Sequence, residues 1–146
     1  IENPSVWHED VSMYEVYEGK KLKGRFYLDL YPRPNKETWF YGVPLTSGSQ
    51  SDNGYEIPAA MLLGNFTKPT DTKPSLLTFG EVTTLFHEFG HALHGMMANG
   101  HYESLSGTSV YWDFVELPSQ LLENWVSDRE SLEKLGLDVF KFHKKT

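Results

Sequence analysis

Residues 87–91, with the sequence His-Glu-Phe-Gly-His, combine two imidazoles and a carboxylate at a spacing suited to a metal site. Residues four apart lie on one face of an α-helix, so His87 and His91 can direct ring nitrogens at a single ion. Glu88 lies one position further round the helix and can reach a water beside that ion without binding the ion itself. The spacing therefore predicts one Zn²⁺ per chain, with His87 and His91 as ligands and Glu88 beside a water on the ion.

A catalytic zinc ion needs a third protein ligand and an open fourth position. A more distant histidine ligand at position 97 is excluded, because that residue is Met97. The remaining candidates are the carboxylates of Glu103, Glu116 and Glu123. Glu103 lies in a loop and is so close to His91 in sequence that a helix is not expected to turn back between them. Glu116 begins the next predicted helix, which suits an antiparallel approach to the two histidines. Glu116 is therefore the favoured ligand, and Glu123, seven residues later on the same face, is expected to support the site from behind the ligands.

Two further residues are candidates for a supporting role around the ligands. His94 lies three residues beyond His91 and off the axis of the histidine pair, which favours a core or supporting residue over a fourth ligand. Asp113 is expected either to hydrogen-bond the outer nitrogen of a zinc-bound imidazole or to act only as a helix N-cap. The aromatic residues Trp112, Phe114 and Trp125 are expected to pack in the protein and not to stack on a substrate.

Two predicted helices position these residues. Thr78 and Glu81 have the form of a capping box that opens the first helix, and Asn99-Gly100 ends it. Its apolar residues recur at helical spacing and are expected to face the core; they are Val82, Leu85, Phe86, Phe89, Leu93, Met96 and Met97. The second helix is predicted to begin at Asp113 and to run through Val126, with Pro118 bending it or marking a boundary.

Short strands and turns are predicted before residue 78. Residues 11–17 and 24–31 favour a β-hairpin turning at 18–21, and 38–43 favours a third strand. Residues 47–55 are polar and are expected to form a flexible loop. The apolar run at 59–66 indicates a buried strand, although an edge strand able to pair with an extended peptide is an alternative for 59–65. The fold class is α+β: one catalytic segment over 1–146, strand-rich over 1–77 and helical over 78–146.

Composition excludes several classes of function. The 13 basic and 20 acidic residues leave a net charge of −7, which argues against a nucleic-acid partner or a basic membrane-binding patch. The sequence contains no run of 18 apolar residues, so no membrane span is predicted, and no signal peptide is visible. The absence of cysteine excludes thiolate ligands and a cysteine nucleophile, and it is compatible with a cytoplasmic location. Because the sequence begins without methionine, we expect it to be a piece of a longer protein.

Two stretches together resemble the thimet oligopeptidase family of zinc peptidases: FHEFGHALHG at 86–95 and SGTSVYWDFVELPSQLLENWV at 106–126. The similarity extends back through 65–77 and the hairpin, so it covers almost the whole chain. It implies a zincin-like piece of a larger, mostly helical protein that hydrolyses short peptides. It also implies zinc bound by His87, His91 and Glu116, with Glu88 as the general base, which are the same four residues that spacing selects.

The resemblance implies that the substrate-positioning tyrosines and a histidine lie downstream of the residue 113–116 segment, in the remainder of the parent polypeptide. Three hypotheses follow. The first is a zinc-dependent oligopeptidase, favoured over a dipeptidyl carboxypeptidase by residues 47–55 and 65–70. The second is a module that binds zinc without turnover, and the third is a structural helical domain without metal.

Overall fold

The computed structural model describes residues 4–52, 54–100 and 102–135. The strands, in chain order, are β1 (Ser12–Glu18), β2 (Lys21–Asp29), β3 (Tyr41–Thr46), β4 (Ser49–Ser51), β5 (Gly54–Glu56) and β6 (Ala59–Leu63). The helices are α1 (Phe79–Met97), α2 (Trp112–Val115), α3 (Leu117–Ser127) and α4 (Arg129–Lys134), with a 3-10 turn at Glu103–Leu105. Strands and helices are therefore segregated along the chain, which confirms the α+β class. The last part of the predicted helical segment, 136–146, lies outside the described residues.

Four strands form one sheet in the order β1-β2-β6-β3. β1 and β2 are the predicted antiparallel hairpin, and Gly19 supplies the positive φ of 60° in its turn. β6 pairs parallel with β2 and antiparallel with β3, so it is an inner strand. The alternative of an edge strand over 59–65 is therefore wrong, and the continuous apolar run reflects burial between two neighbours.

Two predictions about the segment between β2 and β6 need correction. β3 begins three residues later than the strand predicted over 38–43, and it includes Pro44. Proline is tolerated there because β3 is at the edge of the sheet, where a missing N–H group need not break a ladder. Residues 47–55 do not form a loop throughout, since β4 and β5 pair as a small antiparallel hairpin. Gly54, with φ of 110°, allows the reversal between them.

Helix α1 lies across one face of the sheet. Its N-terminus carries the predicted capping box, in which Thr78 Oγ1 accepts from the Glu81 backbone and the Glu81 carboxylate accepts from the Thr78 backbone. The buried cluster between the helix and the sheet consists of two residues from β6 and two from α1: Ala60, Leu62, Ala92 and Met96. Phe89 adds an edge-on contact with Phe26 of β2, at a centroid distance of 5.1 Å. The apolar face of α1 is therefore fixed on the sheet, and its other flank is left for the polar residues.

Asp29 at the end of β2 is a buried carboxylate surrounded by donors. Arg33 donates to both of its oxygens at 2.6 and 2.7 Å, Lys36 lies 2.9 Å from it, and Trp7 Nε1 donates at 3.0 Å. Lys36 also donates to the backbone carbonyls of Asp29, Tyr31 and Gly64. The cluster ties the end of β2 to the chain leaving β6.

The second predicted helix is divided in two. Asp113 is not its N-cap, because Tyr111 precedes α2 and Asp113 lies inside that short helix. Glu116 joins α2 to α3, so the predicted ligand lies at a junction and not in the first turn of a continuous helix. Pro118 explains the division, because proline has no N–H group to donate to the carbonyl of Phe114. In the described part of the chain, no helix is both long and apolar enough to cross a membrane.

Candidate metal centre

His87 and His91 lie one turn apart on the polar flank of α1. Their ring centroids are 4.9 Å apart and the rings are nearly perpendicular, at 81°. Both side chains are half-buried, which limits the number of rotamers open to them. The helical geometry therefore presents two neighbouring imidazoles on one face, as the spacing predicts.

Glu116 meets both histidines from the junction of α2 and α3. Its Oε2 atom lies 3.2 Å from Nε2 of His87 and 3.2 Å from Nε2 of His91. The close packing of α1 on α3 makes this contact possible. A Cβ atom added at Gly90 would lie 2.5 Å from Cα of Ser119, so only glycine at this position allows the two helices to approach so closely.

The three groups fit a zinc ion. Their candidate ligand atoms lie within 4.8 Å of one another. Ligand atoms around a tetrahedral zinc ion, at about 2.0–2.2 Å from it, lie about 3.3–3.5 Å apart, close to the two observed contacts. Imidazole nitrogens and a carboxylate oxygen are also ligands that zinc accepts. Within the described residues, the ion-pair partners of Glu116 are histidines only, so a cation would balance its charge.

Glu123 supports His87 from the other side of the ring. Its Oε1 atom lies 2.6 Å from Nδ1 of His87. An ionised carboxylate only accepts hydrogen bonds, so this contact favours the tautomer with its proton on Nδ1, which leaves the Nε2 lone pair for a metal ion. The structure therefore brings Glu123 to the ligand group in the arrangement by which supporting carboxylates orient metal-binding histidines.

Glu88 lies next to the three groups and outside them. Its Oε2 atom accepts a hydrogen bond of 2.6 Å from the backbone N–H of Gly42 in β3. A Cβ atom at Gly42 would lie 3.2 Å from both the backbone oxygen and Oε2 of Glu88, so the strand and the helix are in close contact here. The edge strand therefore holds the carboxylate predicted to act as a base.

The other two candidates have different surroundings. Burial lowers the pKa of the His94 imidazole, and the nearby His91 adds to the effect. Among the described residues none hydrogen-bonds Nδ1 of His94, and its ring lies edge-on to Phe114. Asp113 is exposed on α2, and in the described part of the chain no hydrogen bond or ion pair joins it to His87 or His91. Glu123, and not Asp113, is the carboxylate that the structure brings to an imidazole.

A groove of about 300 Å³ opens beside His91 and Glu116. Its walls include β3, the C-terminal half of α1 and the chain at 106–109. Apart from His91 and Glu116, the residues that line it are uncharged. Trp112 lines the groove and is 86% exposed, so the expectation that it packs is wrong for the described chain. Phe114 and Trp125 are about half exposed, and Phe114 contacts the ring of His94.

The sequence profile of peptidase family M3 matches residues 1–139. The chain belongs to peptidase family M3. Similar proteins include a thimet-like oligopeptidase from Dictyostelium discoideum, 47% identical over 143 residues that cover 95% of this chain and 21% of the relative. Oligopeptidase A from Escherichia coli (strain K12) is 47% identical over 131 residues that cover 87% of this chain and 19% of the relative. Dipeptidyl carboxypeptidase from Salmonella typhimurium is 38% identical over 137 residues that cover 92% of this chain and 20% of the relative.

The family predicted from the motifs is therefore confirmed. The chain spans about a fifth of the length of the curated relatives that it matches, with 19–21% of each covered. The activity, substrates and partners of a whole M3 peptidase are therefore matters for proposal.

Sequence reasoning missed two residues of this M3 site. Gly42 contacts Glu88 from 46 residues away, and no local pattern marks such a contact. Ser119 donates to Oε2 of Glu116 at 2.9 Å. A signal for Ser119 existed, because a serine three residues after Glu116 lies within reach of it at a helix start.

Proposed function

We propose that the chain carries the catalytic site of a zinc-dependent peptidase that hydrolyses peptide bonds in short oligopeptides. The observation that supports it is the convergence of His87 Nε2, His91 Nε2 and Glu116 Oε2, with Glu88 beside them. Membership of peptidase family M3 supports the same reaction class.

His87, His91 and Glu116 would hold the metal, and Glu123 would keep His87 in the tautomer that offers Nε2. When bound, Zn²⁺ supplies a Lewis acid that polarises the substrate carbonyl and makes a water acidic enough to react near neutral pH. In this proposal the half-burial of the two histidines limits competing water and keeps the ligand atoms together.

Glu88 is proposed to move the proton. It accepts a proton from the attacking water as the new carbon–oxygen bond forms, and it donates that proton to the amine nitrogen as the carbon–nitrogen bond breaks. The hydrogen bond from Gly42 occupies one carboxylate lone pair and fixes the side chain, while other lone pairs remain free for the proton.

The groove beside His91 and Glu116 would accommodate part of the peptide. The names of the two relatives with 47% identity favour an oligopeptidase, and a dipeptidyl carboxypeptidase is the alternative within the family. The remainder of a parent polypeptide is proposed to complete the substrate site. A cytoplasmic location is part of the proposal, and the absence of cysteine is compatible with it.

The test combines metal analysis with cleavage of a fluorescence-quenched oligopeptide by the chain, both alone and within its parent polypeptide. We expect one Zn²⁺ per chain, cleavage by the parent polypeptide, and loss of cleavage when a chelator removes the metal. Zinc binding in both forms without cleavage in either would replace the proposal with the module that binds zinc without turnover. Failure to bind zinc would leave a structural domain.

Glu88→Gln tests the base separately from the metal. Glutamine keeps the shape and the contact with Gly42 but cannot accept the proton, so we expect zinc to be retained and hydrolysis to fall by ~10²–10⁴-fold. Glu9→Gln, at an exposed position outside the site, is the matched control. Full activity of Glu88→Gln would refute the assignment of the base.

A further inference from the structure

Ser119 occupies the closest point of contact between α1 and α3. Its side chain is fully buried, and its Cα atom lies where a Cβ atom at Gly90 would come within 2.5 Å. Ser119 belongs to the first turn of α3, three residues after Glu116. A polar side chain in such a dry position needs a hydrogen-bond partner, because an unpaired buried hydroxyl is destabilising.

The partner of Ser119 is the residue proposed to bind the metal. Its hydroxyl lies 2.8 Å from the backbone oxygen of Glu116 and 2.9 Å from Oε2 of the same residue. The backbone oxygen already accepts a hydrogen bond of 2.9 Å from the N–H of Gln120. The backbone oxygen therefore has a donor without Ser119, and we assign the Ser119 hydroxyl as the donor to Oε2. The same Oε2 atom lies 3.2 Å from Nε2 of both imidazoles.

We propose that Ser119 is a positioning residue that holds the Glu116 carboxylate at the metal centre. The inference rests on the proposed zinc site. A glutamate side chain has three rotatable bonds. At a helix junction, the side chain is not held by the neighbouring turns of a continuous helix. The buried hydroxyl donates to the metal-facing oxygen and holds the carboxylate in place before zinc binds. Less of the free energy of zinc binding is therefore lost in ordering the side chain.

A purely structural role for Ser119 makes a different prediction. If Ser119 only fills space between α1 and α3 or starts the helix, its loss should lower the melting temperature and leave metal affinity unchanged. Val126 provides the comparison, because it is fully buried in the same helix and is not among the site residues. Val126→Ala should therefore destabilise the protein without weakening zinc binding.

The experiment is a competition titration of the metal-free chain with Zn²⁺ and a chromophoric chelator. We expect Ser119→Ala to weaken zinc binding by ~10–100-fold, the range found when groups that orient metal ligands are removed. The exposed Ser127, in the same α3 helix, is the matched control, and Ser127→Ala should bind zinc like the wild type. Ser119→Gly also lacks the hydroxyl and adds no atom against Gly90, so it gives the same test if Ser119→Ala does not fold.

A double-mutant cycle with Glu116→Ala identifies the route of the effect. If Ser119 acts through Glu116, adding Ser119→Ala to Glu116→Ala should cause no further loss of zinc affinity. The absorption spectrum of the Co²⁺-loaded chain should also change in Ser119→Ala and stay unchanged in Val126→Ala, because it reports the coordination geometry.

Unchanged zinc affinity in Ser119→Ala, with a folded protein, would overturn the inference. An equal loss in the presence and absence of Glu116 would overturn it as well. Neither result would refute the zinc site, which fails only if the wild-type chain does not bind zinc or if Glu116→Ala binds it as tightly as the wild type.

Discussion

The carboxylate of Glu123 lies 2.6 Å from Nδ1 of His87, while Nε2 of the same ring lies 3.2 Å from Glu116. One imidazole therefore lies between two carboxylates. The contact with Glu123 favours the tautomer with the proton on Nδ1, and Glu116 lies on the Nε2 side of the same ring. The relationship depends on the packing of α1 on α3, since Glu116 and Glu123 lie at the start and in the middle of one helical segment.

Replacing Glu123 with glutamine should weaken the proposed metal site without removing a ligand. The amide leaves a neutral partner that can be oriented either way, so His87 is no longer held in one tautomer. We expect zinc affinity to fall by ~10–100-fold, measured by chelator competition. Glu130→Gln, in an exposed pair with Lys134, is the control. Equal affinities of the two variants would contradict the role given to Glu123.

Gly42→Ala should separate proton transfer from metal binding. The new Cβ atom would lie 3.2 Å from the backbone oxygen and Oε2 of Glu88, so the carboxylate must move by a few tenths of an ångström. We expect kcat to fall about 10-fold, less than the ~10²-fold cost of a 1 Å misplacement, with zinc content unchanged. Leu45→Ala, an exposed change on the same strand, should leave kcat unchanged. A fall in both variants would indicate damage to β3 and not to the base.

The sequence predicted the features that depend on neighbouring residues. The capping box at Thr78 and Glu81, the hairpin and the pairing of His87 with His91 all arise within one or two turns of chain, where spacing determines geometry. Glu116 is also a predictable candidate, because its distance from His91 along the sequence suits a chain that returns antiparallel to α1. Pro118 was expected to bend the next helix or to mark a boundary, and it does mark one.

The features that could not be predicted depend on contacts between distant segments. Nothing near Gly42 shows that its N–H group faces a glutamate on a helix 46 residues later. The position of β6 inside the sheet is ambiguous from the sequence, because a short apolar run such as 59–66 fits an inner or an edge strand equally well. Asp113 has the right type for an N-cap, but α2 begins one residue earlier, after Tyr111, and Pro118 lies at the start of a separate helix. Residue type alone could not decide among these outcomes.

Gly95→Leu should test whether the groove holds part of the substrate. Gly95 lines the groove, and apart from its chain neighbours and the backbone of its own helix, no atom of the described residues lies within 4 Å of the position where its Cβ atom would be. The Cβ atom of leucine can therefore be added without displacing the backbone, and the rest of its side chain would take up space in the groove. We expect kcat/KM to fall about 10-fold or more for peptides with a bulky apolar side chain in the groove, and to change little for the matching alanine peptides. The measurement is the ratio of kcat/KM for peptide pairs that differ at one residue.

Gly95→Ala provides the control for the leucine variant. It adds one carbon at the same helical position, and alanine is favoured over glycine in a helix by about 1 kcal/mol. Its stability should therefore be equal or higher, and its peptide preference should stay close to that of the wild type. An equal fall for bulky and small peptides in Gly95→Leu would show that the groove does not select side chains.

Asp29 should make the fold sensitive to acid. Burial opposes its ionisation, but the hydrogen bonds from Arg33, Lys36 and Trp7 prevail and hold the pKa of the carboxyl well below its usual range. Because the pKa is lower in the folded than in the unfolded chain, the ionised group stabilises the fold above pH ~4, the unfolded value. That stabilisation should disappear as the pH falls below ~4 toward the folded value. Urea unfolding between pH 2.5 and pH 7 measures this loss, because the range extends about 1.5 pH units below the unfolded pKa of ~4.

Asp29→Asn should abolish this part of the acid dependence and destabilise the fold at pH 7. The side chain of Lys36 is only 2% exposed, so the substitution leaves a buried cation without its carboxylate. Breaking a buried pair in this way costs ~3–5 kcal/mol in the free energy of unfolding. Asp71→Asn, at an exposed turn, should change neither the stability nor its pH profile. If Asp29→Asn kept the stability of the wild type at pH 7, the cluster would not be what joins β2 to the chain after β6.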